Sequence, residues 1–275
     1  MKNVVSLFIL LLLSALFGNT LLADHIYNLS VTPNMIELKI GSEPIRESIR
    51  LKNNNETAIS LKATINNWTL DEKNNLITVP SDAQSLDRGI VLTPEKVTIE
   101  PGKEAVLHFT LTPQSGLEPG EHRAIIYLTE IYPTVTGDGI EITFRQGVGI
   151  YGYSGQIRQA AELKKLTFDT ATGTLNVDIE NTGNVHTRFD GDYAIWKKGT
   201  FPGFKSLADY LNKPHNEKKS GGFIASGSMN RTPVLAGNRR TIKTILPIAD
   251  LPAAYTLVIT GTLNGKKFEK ILPQP

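Results

Sequence analysis

The chain contains no cysteine. It therefore has no disulfide, no N-terminal cysteine to carry a lipid, no thiolate nucleophile and no cysteine ligand for zinc. Whatever cores it builds must hold by packing alone. Histidine is scarce as well: His25, His108, His122, His186 and His215 are the full set, and no two have the spacing of a metal site. Neither sign of charge dominates, with 29 basic and 27 acidic residues. A near-neutral chain lacks the basic footprint that nucleic acid requires. Neither G-x-S-x-G nor S-x-x-K occurs, and no pair of carboxylates stands out, so no metal, cofactor or enzymatic activity is expected.

Long apolar runs are absent except at the start. Met1-Lys2-Asn3 is short and positive, Val4 to Leu16 is almost wholly apolar, and Ala23 is a small residue before Asp24. That layout predicts a secretory signal peptide over residues 1–23 and an exported, periplasmic product. The alternative is an uncleaved N-terminal anchor, although the run is short for a transmembrane helix.

What the rest of the chain has is alternation. Ile59, Leu61, Ala63 and Ile65 are separated by polar residues, the period of a half-buried strand. Val106 to Leu111 and Ala124 to Ile131 behave similarly. Pro101-Gly102, Pro119-Gly120 and Asn264-Gly265 are turn chemistry. Ile140, Ile142, Phe144, Val148 and Ile150 share one parity and predict one long strand with an apolar face. Gly147 and Gly149 interrupt its other face, where glycine permits close backbone approach. Gly147 to Gly152 also fits G-x-G-x-x-G, but no strand–turn–helix context surrounds it. The pattern restarts after Tyr153-Ser154-Gly155. The expected architecture is all-β: two immunoglobulin-like β-sandwich domains, 24–154 and 155–275, the second with an insertion near 200–227 holding a helical turn at Ser206–Leu211.

Several segments of the first half, taken in order, resemble one family. Ser30-Val31-Thr32-Pro33 opens the first strand, and Ile49-Arg50-Leu51-Lys52-Asn53 ends the second at an asparagine. Ile99-Glu100-Pro101-Gly102-Lys103, Glu121-His122-Arg123-Ala124 and Leu128-Thr129-Glu130-Ile131-Tyr132-Pro133 follow. Together they resemble the N-terminal domain of PapD-like periplasmic pilus and fimbrial assembly chaperones. In the second half, Asn181-Thr182-Gly183-Asn184 resembles a turn of bacterial immunoglobulin-like domains.

The resemblance implies a non-enzymatic chaperone that lends a strand to pilin-like subunits. An outer-membrane usher is a possible further partner, and neither nucleic acid nor a small-molecule substrate is expected. The lent residues would be Ile140, Ile142 and Phe144, continuing to Val148 and Ile150. The same alternation equally suits plain core packing, so both readings stand at this point. The family's two basic residues, which hold a client's terminal carboxylate between the domains, align with Met35 and Gly149, and neither matches. Lys39 and Arg145 are the nearest basic candidates. A structural or adhesive cell-envelope module without a client is the alternative function.

Overall fold

The computed structural model describes residues 28–132, 134–135, 141–211, 221–247 and 254–272. The expected signal segment and Ile140 lie outside the described residues. The first part of the chain forms β1 (Leu29–Thr32), β2 (Met35–Lys39), β3 (Ile45–Asn53), β4 (Ile59–Leu70), β5 (Leu76–Val79) and β6 (Ile90–Thr93). It continues as β7 (Lys96–Ile99), β8 (Glu104–Leu111), β9 (Gly120–Glu130), β10 (Thr134–Val135), β11 (Glu141–Ile142) and β12 (Arg145–Ser154). The second part forms β13 (Ala161–Asp169), β14 (Thr174–Asn181), β15 (Asp190–Lys197), α1 (Leu207–Leu211), β16 (Phe223–Ser228), β17 (Arg239–Ile245), β18 (Tyr255–Leu263) and β19 (Lys266–Leu272).

These strands make two sandwiches of immunoglobulin-like type. In the first, a sheet ordered β1-β3-β8-β6 faces one ordered β2-β12-β9-β4-β5, with β7 also paired to β4. In the second, β13-β14-β17 faces β16-β15-β18-β19. Alternation explains the packing. Along β3, Ile49 and Leu51 are buried while Ser48, Arg50 and Lys52 face out. They meet Leu107, Phe109 and Leu111 of β8 and Ala124, Ile126 and Leu128 of β9 in one core. Leu175, Val177 and Ile179 of β14 meet Tyr193, Ile195, Leu257 and Ile259 in the other.

Two sequence expectations are revised. Phe223–Ser228, placed in the insertion, is an edge strand of the second sandwich paired with β15. Ahead of it, α1 and its flanks lay Phe201 and Tyr210 against Trp196, with Phe204 on Phe201, in an apolar cluster with Leu207 and Phe223. The expected single strand through Ile140–Ile150 is broken. Thr129 faces Arg145, but Thr134 faces Ile142, so five steps on one arm oppose three on the other. A mismatch of that kind interrupts a ladder.

Candidate functional site

β12 is the strand on which the candidate residues sit, and it has two different halves. From Gly149 to Tyr153 it is flanked on both sides: β9 runs antiparallel and β2 parallel, with Gly149 opposite Met35 and Tyr153 opposite Lys39. From Arg145 to Val148 it has β9 on one side and, among the described residues, no strand on the other. That leaves an open edge of backbone, a surface able to accept another strand. The edge continues toward β11, where Ile142 is 55% exposed.

The candidate donor side chains therefore separate. Val148 and Ile150 are completely buried in the first core. For these two the core-packing reading describes the molecule, because their side chains already fill the protein's own interior. Ile142 faces solvent, and Phe144 is half-buried, with its carbonyl accepting from the Glu130 N–H at 3.0 Å. The G-x-G-x-x-G segment lies wholly inside β12, without the turn and helix that a dinucleotide site needs.

The other face of the same sheet looks into a cleft between the sandwiches. Its lining includes Met35, Trp68, Ile125, Gly147, Gly149 and Tyr151 from the first sandwich, and Arg188, Arg231 and Pro233 from the second. Leu235 of the second sandwich packs with Trp68, Leu70, Ile125 and Tyr151, so apolar contact continues across the boundary. Gly147 lets the Ile125 side chain pack against the strand on this face: a Cβ there would come within 2.7 Å of it.

The positive charge in the cleft comes from residues that the sequence reading did not single out. Arg188 Nη2 donates to the Tyr151 hydroxyl at 3.0 Å and lies 3.4 Å from Met35 Sδ. Its Nη1 donates to the Arg231 carbonyl at 2.8 Å. Burial pushes the Tyr151 hydroxyl up against the opposing charge of Arg188, so it stays neutral and accepts this bond. Lys39 stands at the far end of the β2–β12 ladder, and Arg145 stacks on Tyr127 with its guanidinium 3.5 Å from the ring centre. Neither lines the cleft. No pattern local to the sequence marks Arg188, which reaches the site only through tertiary packing.

A buried polar joint borders the cleft. The Glu121 side chain is fully buried and accepts from Arg123 at 3.0 Å, from the His186 backbone N–H at 2.8 Å and from the His186 ring. Burial pushes its carboxyl up. The hydrogen bonds and charge of His186 and the charge of Arg123 outweigh that and hold it below the ordinary carboxylate range. Beside it the Glu121 N–H donates to the Asn184 carbonyl, and Asn184 Nδ2 donates to the carbonyls of Pro119 and Gln156. His122 is buried, with its ring nitrogens 2.7 and 2.8 Å from the Gln84 and Glu118 carbonyls.

No protein-family model matches the chain, and no curated protein sequence matches it. Solved structures do. The chain is similar to a chain of the chaperone–tip adhesin complex of CFA/I fimbriae biogenesis, at 15% identity over 89% of this chain and 98% of that one, with a TM-score of 0.45. It is similar to the Pseudomonas aeruginosa CupB2 chaperone at 12% identity, over 88% and 98% of the two chains, with a TM-score of 0.44. It is also similar to a chain of the Salmonella enterica SafA pilin–SafB chaperone complex at 7% identity, over 90% and 97%, with a TM-score of 0.45. Each of these structures is or contains a chaperone.

Proposed function

We propose that this is a non-enzymatic periplasmic chaperone that caps pilin-like subunits by lending them an edge strand. The observation that carries the reading is the open edge of β12 at Arg145–Val148, running on toward the exposed Ile142. A subunit lacking one strand has a bare apolar groove and unpaired backbone groups. A lent edge supplies backbone bonds, and alternate side chains fill the groove. Ile142 and Phe144 are the side chains in position to be lent, with Ile140 next in the same alternation. Val148 and Ile150 instead anchor the strand in its own sandwich. The resemblance adds a cleft that holds a client's terminal carboxylate. Here Arg188 and Arg231 would take the part that Met35 and Gly149 cannot, through charge-assisted hydrogen bonds. The 1–23 segment would deliver the chain to the periplasm, where an outer-membrane usher could receive the loaded complex.

Ile142→Asp tests this. Ile142 is largely solvated, so the variant should melt like the parent, within about 0.5 kcal/mol. A charge cannot enter an apolar groove, so co-purification of a stoichiometric small subunit from the periplasm should be lost. Capture that persists in Ile142→Asp, or a parent protein that captures no subunit at all, would sink the reading and leave a structural envelope module.

A further inference from the structure

The cleft is bordered at a second place, far in sequence from the Glu121 joint. The turn between β4 and β5 reaches across to β17. Arg240 grips two of its carbonyls, with Nη1 donating to Asp71 at 2.6 Å and Nη2 to Leu70 at 3.1 Å. Asn74 Nδ2 donates to the Thr241 carbonyl at 3.0 Å. The turn is preorganised for this. Asp71 Oδ1 accepts the N–H groups of Lys73 and Asn75, and Asn74 sits at φ 66°. Leu70, Asn74 and Leu76, all from this hairpin end, also line the cleft.

The contact is the kind that can open. β5 is only four residues long and, among the described residues, pairs with β4 alone. Leu76 and Ile77 are each 41% exposed, so β5 buries little to hold it in place. Asn74 Oδ1 is buried without a partner, a cost the closed arrangement bears. Segments with few buried apolar contacts open at low free energy while the core stays folded.

We infer that the β4–β5 end is a releasable clasp on β17, and that its opening controls access to the cleft floor at Ile125 and Trp68. The inference rests on the proposed function only in treating the cleft as a client site; its test needs no client.

The absence of native cysteine makes a thiol probe specific to one position. Ile125 and Ile126 are neighbours on β9 that face opposite ways, one into the cleft cluster and one into the first core. Ile125→Cys and Ile126→Cys would each be labelled with a maleimide, with and without Arg240→Ala. Labelling follows the population of the open form when closing is fast. Loss of two charged hydrogen bonds should speed Ile125→Cys labelling by about tenfold or more and leave Ile126→Cys unchanged. Asn74→Gly suits the backbone at φ 66° and removes both the Thr241 bond and the unpartnered Oδ1, two opposed effects, so it should change the labelling less than Arg240→Ala does. An unchanged Ile125→Cys rate in both backgrounds overturns the clasp. Equal acceleration at both cysteines overturns it too, because the hairpin would then be holding the first sandwich together rather than closing the cleft.

Discussion

The two sandwiches share one buried device and use it differently. Asn53 ends β3 with no exposed surface, and Asn181 ends β14 with 1%. Asn53 Nδ2 donates to the carbonyls of Thr57 and Ile99, while its Oδ1 accepts the Asn55 N–H. Asn181 Nδ2 donates to the carbonyls of Val185 and Val234, while its Oδ1 accepts the Gly183 N–H. Each long-range partner stands three residues before a glycine in the left-handed region, Gly102 or Gly237. Beyond the plug the corners diverge. In the first, Asn54 and Asn55 tie down Asn28 ahead of β1. In the second, Asn184 reaches the other sandwich through Pro119, and the segment between the sandwiches through Gln156. The plug satisfies backbone groups that burial would otherwise orphan. That fixes the corner and leaves the turn residues beyond it free to do assembly work.

The comparison breaks most sharply at the plugs themselves. Asn181→Ala strands two buried carbonyls and a buried N–H, a loss of about 3 kcal/mol; Asn53→Ala strands the buried Ile99 carbonyl and two part-buried groups at Thr57 and Asn55, a loss of about 2 kcal/mol. Trp68 lies in the first sandwich and Trp196 in the second, and both are buried. Their emission in single-tryptophan backgrounds should report the two halves separately during denaturant unfolding. Asn53→Ala should lower the Trp68 midpoint. Asn181→Ala should lower the Trp196 midpoint and also loosen the joint at Asn184 and His186. Losses below about 1 kcal/mol would mean that water replaces the amide, and the shared device would be incidental.

The Glu121–His186 joint sharpens the contrast, because it belongs to the second corner only. Glu121→Gln should cost about 2 kcal/mol at neutral pH by leaving His186 and Arg123 facing a neutral amide. The sign of the pH dependence follows from the depressed folded-state pKa. The stability that Glu121 adds is complete above its ordinary value of 4.5 and is lost as pH falls through the lower folded value. The parent should therefore lose stability below about pH 4.5 more steeply than Glu121→Gln. Equal slopes in urea titrations at pH 3 to 7 would show that the carboxylate adds nothing to the joint.

Much of this was legible in the sequence, and the reason is period two. Alternation at Ile59–Ile65 and Leu175–Ile179 placed strands and core faces without any tertiary information. The asparagine ending β3 and the Asn181–Asn184 turn were visible as local chemistry. Two things were not visible. Alternation says which residues share a face and nothing about whether that face meets the protein's own core. Ile142 and Val148 therefore looked alike, although one is solvated and the other buried. The cleft charges were hidden for another reason. Arg188 meets Tyr151 across 37 residues of chain, a contact made only once two sandwiches have packed. The closer candidates Lys39 and Arg145 had sequence proximity in their favour and no packing to direct them inward.

The smallest effect tests the most specific part of the comparison, that the turn beyond the second plug works between the sandwiches. Asn184→Ala keeps the Asn184 carbonyl that accepts the Glu121 N–H and the plug at Asn181, and it removes only side-chain bonds. Those are Nδ2 to Pro119 and Gln156 at 2.9 and 3.0 Å, and Oδ1 from the Arg158 N–H. All three are close to solvent, so water can replace part of what is lost, and about 1 kcal/mol is expected. The matching change in the first corner, Asn55→Ala, removes bonds to Asn28 and Asn53 and should act on the first sandwich alone. With hydrogen exchange as the readout, Asn184→Ala should raise exchange on both sides of the joint, at Glu121 and at His186. Asn55→Ala should raise it only around β1 and β3. If Asn184→Ala leaves the Glu121 amide as protected as before, the second corner is a fold device like the first, and the joint at Glu121 and His186 holds without the Asn184 side chain.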